Sequence, residues 1–200
     1  MPHQEYMIVL PEWIFKFPEN NPPHAAAGLP VVVGTAGDTL YNRLGLPLPP
    51  TVSKGTPDEG APAPEGTLVI WGGSMGCDMA SIQLARASRM SSIVAIASAK
   101  NHQFLNSLGA SHCFEYRDTD VVRFKIVVGS HFYDLEFDLP DGTKLSVPKN
   151  MVAANRHQRA LKWVLENYGG NYVPTPVKVF EGTGQNAVGE LYKMQQMTLP

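Results

Sequence analysis

A chain of 200 residues, 44% hydrophobic and 17% charged with a formal net charge of −2, is long enough for one good core or for one domain plus a fragment. Its charge excludes the basic footprint of a nucleic-acid binder, and no apolar run approaches the ~20 residues of a membrane span. Its cysteines, Cys77 and Cys113, fit a reducing compartment and build neither a disulfide framework nor a cysteine-rich zinc site, so no metal is expected.

The opening Met-Pro-His-Gln-Glu-Tyr has neither the basic start nor the apolar core of a signal peptide, and a cytoplasmic protein is expected. Residues 5–16, EYMIVLPEWIFK, read as two short strands broken by Pro11. Asn20-Asn21-Pro22-Pro23 is a turn whose proline pair suits a helix start. Residues 24–45 then read as a short helix interrupted by Pro30 and a longer one ending at Gly45, with Val31, Val32 and Val33 as buried packing. From Leu46 to Gly66 the chain carries six prolines and little apolar periodicity, which predicts a connector with residues 54–65 disordered.

A continuous apolar run, Leu68-Val69-Ile70-Trp71, leads into Gly72-Gly73-Ser74-Met75-Gly76 and then into apolar residues at helical spacing, Met79, Ile82 and Ala85. A second run, Ile93 to Ala97, ends in Ser98-Ala99-Lys100-Asn101. Strand, glycine turn, helix and strand make the first βαβ unit of a Rossmann-like parallel sheet, an α/β fold with flanking helices. Small residues in such a turn let backbone N–H groups approach a phosphate, and the helix N-terminus favours the anion. Met75 and Asp78 stand where glycine occurs in a G-x-x-G-x-x-G turn, and the Asp78 carboxylate favours the helix but repels a pyrophosphate. An ordinary strand-to-helix turn is the competing reading.

A ribose 2′-hydroxyl is ordinarily held by an Asp or Glu about 20 residues beyond the turn. No acid lies between Ala95 and Leu108, and Ser98 and Lys100 stand in its place, which favours a 2′-phosphate and hence NADP(H). A serine at a strand end is also an ordinary helix cap.

Beyond Tyr116, residues 131–147 alternate around Leu139-Pro140-Asp141-Gly142, a β-hairpin. Asn150 is expected to cap a helix running to about Tyr168 with Val152, Leu161, Val164 and Leu165 inward. A strand at 177–180 and a helix over 186–197 follow. His131 and His157 read as satisfied or exposed histidines, with His157 on a solvated Arg-His-Gln-Arg face.

The strings WGGSMGCDMASIQLARA, IVAIASAKN and LGASHCFEYRD together resemble the nucleotide-binding half of the medium-chain dehydrogenase/reductase superfamily, in its zinc-independent quinone reductase and fungal trans-acting enoyl reductase branch. That resemblance implies NADPH contacts from Ser74, Met75, Gly76 and Cys77 at the turn, from Ser98, Ala99, Lys100 and Asn101 at the 2′-phosphate, and from Tyr116 beside the ribose. It also places Thr35 along the nicotinamide and substrate cleft. Against the family pattern, residues 1–22 read as the tail of an N-terminal catalytic domain, 23–122 as the first half of the nucleotide-binding domain with 46–66 as connector, and 123–200 as the hairpin and C-terminal helices. Central βα units and a last strand would then be missing. The implied reaction is hydride transfer to an enoyl or quinone-like small molecule, with a homodimer or a partner synthase as company. No residue is nominated as proton donor. The competing readings are an inactive truncated or mis-spliced paralogue, a cofactor-binding module without turnover, and an oligomerisation partner.

Overall fold

Residues 8–9, 14–117, 135–138, 144–147 and 150–176 are described by the computed structural model. Helix α1, Pro23–Ala26, opens on the predicted proline pair, and α2 spans Leu29–Gly37. Pro30 does not interrupt a helix. It sits in the first turn of α2, where its missing N–H would have had no intrahelical partner. A π-helical turn, Asp38–Arg43, continues α2, and the buried Asp38 accepts from Asn42 Nδ2 at 2.8 Å and Arg43 Nε at 3.2 Å. Of the three valines, Val33 is buried as expected whereas Val31 is exposed.

The proline-rich segment departs from expectation. Residues 46–66 form a packed, hydrogen-bonded loop, with Leu48 and Val52 in the core cluster. Asp58 organises it, accepting the Leu48 N–H at 3.0 Å and pairing with Arg156 at 3.0 Å. Arg159 donates to the carbonyls of Val52 and Lys54 at 3.0 and 3.2 Å. Prolines stiffen the loop before it forms, and its polar partners come from a helix about a hundred residues away, beyond the reach of local composition. Asp58→Ala is expected to lower stability by about 2 kcal/mol by leaving the half-buried Arg156 without its carboxylate. Limited proteolysis should then cut within 46–66, where the parent chain resists.

The predicted βαβ succession is present. Strand β1, Thr67–Trp71, is followed by α3, Gly76–Ala87, then β2, Ser92–Ile96, a 3-10 turn at Ala99–Asn101, α4, His102–Leu108, and β3, His112–Phe114. The strands are parallel in the order β1-β2-β3, with Trp71, Ile96 and Phe114 in register at their carboxyl ends. Ile70, Ile93 and Ala95 point into the core with Ile82 and Leu105. β1 is not buried on both faces: Val69 is 39% and Trp71 43% exposed, and Phe114 at the end of β3 is exposed too, because no described element covers that side of the sheet.

Strands β4, Leu135–Asp138, and β5, Lys144–Val147, pair antiparallel as the hairpin reading expects. The Pro-Asp-Gly turn between them, His131, residues 118–134, the strand at 177–180, the helix at 186–197 and most of residues 5–13 lie outside the described residues.

Helix α5, Met151–Asn167, begins as expected, with Asn150 Oδ1 accepting the Ala153 N–H at 3.0 Å. Leu161 and Val164 face inward, but Val152 is 71% exposed and Ala153, Ala154 and Ala160 take the inner stripe. Small residues set that phase, because α2 and α5 cross where a Cβ on Gly37 would lie 3.1 Å from the Ala160 Cβ. The same closeness overturns the solvated face assigned to His157. Its imidazole lies against Gly34, and the flanking Arg156 and Arg159 are bound to the 46–66 loop. Among the described residues no helix is long and apolar enough to cross a membrane.

Candidate functional site

The carboxyl ends of β1, β2 and β3 gather every candidate position except Thr35, which reaches the same place from α2. Leaving β1, Gly72 adopts φ +81°, a conformation that disfavours other residues. Its N–H and that of Gly73 both donate to the Ile96 carbonyl, at 2.9 and 3.1 Å, tying the turn to the end of β2. Gly73 fits because a Cβ there would lie 3.0 Å from the Ala95 Cβ. Met75 is extended, and its side chain, two-thirds exposed, folds back over Gly72, where a Cβ would lie 3.4 Å from its Sδ. From there α3 begins, and the N–H groups of Gly76, Cys77 and Asp78 have no acceptor within the helix.

Two segments close the flank of this turn. A Cβ on Gly76 would meet Val32 at 3.4 Å and Thr175 at 3.6 Å, so α2 and the stretch after Tyr172 border it. Thr35 shares a side-chain hydrogen bond with Cys77. Burial pushes the Cys77 thiol up, Thr35 draws it partly back, and Asp78 adds to the rise. Cys77 is therefore a protonated thiol at neutral pH and serves the site through its backbone. Neither Val32 nor Thr175 was among the predicted site residues.

Asp78 tests the turn most severely. Burial raises its carboxyl from 3.8 to about 6, against the favourable field of the helix N-terminus. The folded state therefore holds the proton more tightly than the unfolded chain, and stability falls as pH rises from about 4 to about 6, then levels off. Asp78→Asn is expected to raise thermal stability above pH 6 and to have no such effect near pH 4. The gain is up to about 1 kcal/mol once solvent screening of this half-exposed side chain is allowed for. In the same variant an anion at the turn should bind more tightly at neutral pH and lose its preference for acid.

At the end of β2, Ser98 precedes the 3-10 turn without making a side-chain cap, and Ala99 and Lys100 are exposed. The capping alternative for Ser98 is thus not what the structure forms. The Ala99 N–H is taken instead by Glu115, whose Oε2 accepts it at 2.7 Å from the far end of β3. Local reading stopped at Leu108 and missed this acid. Parallel pairing supplies the signal, since Ile96 and Phe114 are in register and Glu115 follows at once. Tyr116 is exposed beside it, with the Arg117 guanidinium 5.1 Å from its ring centroid.

Ligands of a dinucleotide fold sit outside the carboxyl ends of parallel strands, against a helix N-terminus. The turn fits a phosphate in its backbone and its bend; Asp78, whose Oδ2 would lie 3.5 Å from a Cβ on Gly72, opposes it. The fold is a βαβ succession on a three-stranded parallel sheet, with a glycine turn at its carboxyl edge.

No family model matches the chain. It is 39% identical over 119 residues to the trans-enoyl reductase himH of Aspergillus japonicus, covering 60% of this chain and 32% of that protein. It is 34% identical over 122 residues to the dehydrogenase pigH of Monascus ruber, covering 60% and 31%. A zinc-type alcohol dehydrogenase-like protein of Schizosaccharomyces pombe is 31% identical over 147 residues, covering 72% of this chain and 40% of that one. The chain thus spans roughly a third of the length of the curated relatives it matches. Trans-enoyl reductases and zinc-type alcohol dehydrogenase-like proteins are its relatives, in keeping with the medium-chain dehydrogenase/reductase resemblance carried by its motifs.

Proposed function

We propose that this chain contributes the cofactor-binding part of a nicotinamide-dependent oxidoreductase, with NADPH as hydride source and an enoyl or quinone-like small molecule of fungal secondary metabolism as acceptor. The carrying observation is the meeting of Ser74–Cys77, Ser98–Asn101 and Tyr116 at the carboxyl ends of three parallel strands. Relatives named trans-enoyl reductase and dehydrogenase support the same reading.

The bound cofactor supplies the hydride; the chain positions it. Backbone N–H groups at the start of α3 would hold the pyrophosphate. Ser98, Lys100 and Asn101 would border the adenosine ribose, with Tyr116 alongside. Thr35, fixed on Cys77, borders the turn from the α2 side and would line the nicotinamide end. The protein works in the cytoplasm, as a homodimer or beside a synthase that delivers the acceptor.

Loss of NADPH absorbance in the presence of an enoyl thioester or a quinone tests the proposal. Turnover with either supports the reductase; saturable NADPH binding without turnover on any acceptor would reduce the chain to a binding module.

A further inference from the structure

We infer that Glu115 determines how this site chooses between a ribose 2′-hydroxyl and a 2′-phosphate, a refinement that rests on the reductase reading above. In sequence the position ordinarily occupied by a selecting acid, at the end of β2, is held by Ser98 and Lys100. In the fold that position is not without an acid. Glu115, from the end of β3, crosses to the same loop and accepts the Ala99 N–H at 2.7 Å.

The second oxygen, Oε1, is buried and has no hydrogen-bond partner among the described residues. Half of the carboxylate is therefore used to fix the loop and half is left as an unserved acceptor, which a hydroxyl donor suits and a phosphate does not. Lys100, exposed on the same 3-10 turn, and Arg117, held over Tyr116, supply the opposite preference. Carboxylate and cations thus compete within one loop. Glu115 holds the 2′-phosphate back from the Ala99 N–H, so the parent chain prefers NADPH over NADH less strongly than Lys100 and Arg117 alone would make it.

Tryptophan-quenching titrations of the full chain with NADPH and NADH decide the matter, repeated with adenosine 2′,5′-bisphosphate and adenosine 5′-monophosphate, which differ only at the 2′ position. Glu115→Gln keeps an acceptor for the Ala99 N–H but removes the charge. It should tighten NADPH and the bisphosphate about tenfold while leaving NADH and the monophosphate within a factor of about two. Glu115→Ala, which removes the acceptor too, should move the ratio the same way. A ratio unmoved by either variant, or a loss of both nucleotides alike, leaves Glu115 a merely structural cap and overturns the inference while the reductase reading stands. Failure of every folded variant to bind either nucleotide overturns both together.

Discussion

Gly34→Val lowers the stability of the chain by about 3 kcal/mol in chemical unfolding. The expectation follows from the crossing of α2 and α5, where a Cβ on Gly34 would fall 2.5 Å from His157 Cε1 and 2.7 Å from its Nε2. Neither helix can simply retreat. α5 is held by Leu161 and Val164 in the core and by Arg156 and Arg159 on the 46–66 loop, and α2 continues into the turn fixed by Asp38. Only the imidazole can move. Pairing Gly34→Val with His157→Ala should therefore recover about half of the loss, a coupling expected of residues in contact. A loss below about 0.5 kcal/mol from Gly34→Val alone would mean that the two helices do not pack on each other as described. Because α2 also carries Val32 and Thr35 to the turn, the single variant should weaken nucleotide binding as well.

Ser74→Asp separates binding from folding in the opposite sense. Ser74 lies in the turn just ahead of α3, close to where the pyrophosphate would sit. A second carboxylate there should weaken NADH and NADPH alike by about 10- to 100-fold, since like charges about 5 Å apart in a half-solvated site oppose each other by ~1.4–3 kcal/mol. The melting temperature should hold or rise slightly, because an acid near a helix N-terminus contributes about 0.3–1 kcal/mol. Equal loss for both nucleotides marks an effect at the pyrophosphate, whereas Glu115 variants should change the ratio between them.

Much of the fold is written in short-range signals. The apolar runs at Leu68 and Ile93, the glycines between β1 and α3, and the Asn150 cap each act over a few residues, and all are found where the chain predicts them. What local patterning leaves out depends on partners distant in sequence. The 46–66 loop looks like a disordered connector until Arg156 and Arg159 arrive from α5. His157 looks solvated until Gly34 is placed beneath it. Val152 fits the inward stripe of α5 by its hydrophobicity, yet the close crossing with α2 selects alanines instead. The site divides in the same way. Turn and strand-end residues are legible because they are consecutive, while Glu115 belongs to the site through the parallel register of β3 on β2.

Titration of the folded chain with NADPH and NADH, read through quenching of Trp71 beside the turn, tests the central claim most directly. Saturable binding in the micromolar range, weakened by Ser74→Asp and strengthened at neutral pH by Asp78→Asn, is the predicted result. A chain that is folded by thermal unfolding yet binds neither nucleotide, in the parent or in Asp78→Asn, would contradict it and reduce the βαβ turn to a strand-to-helix connection.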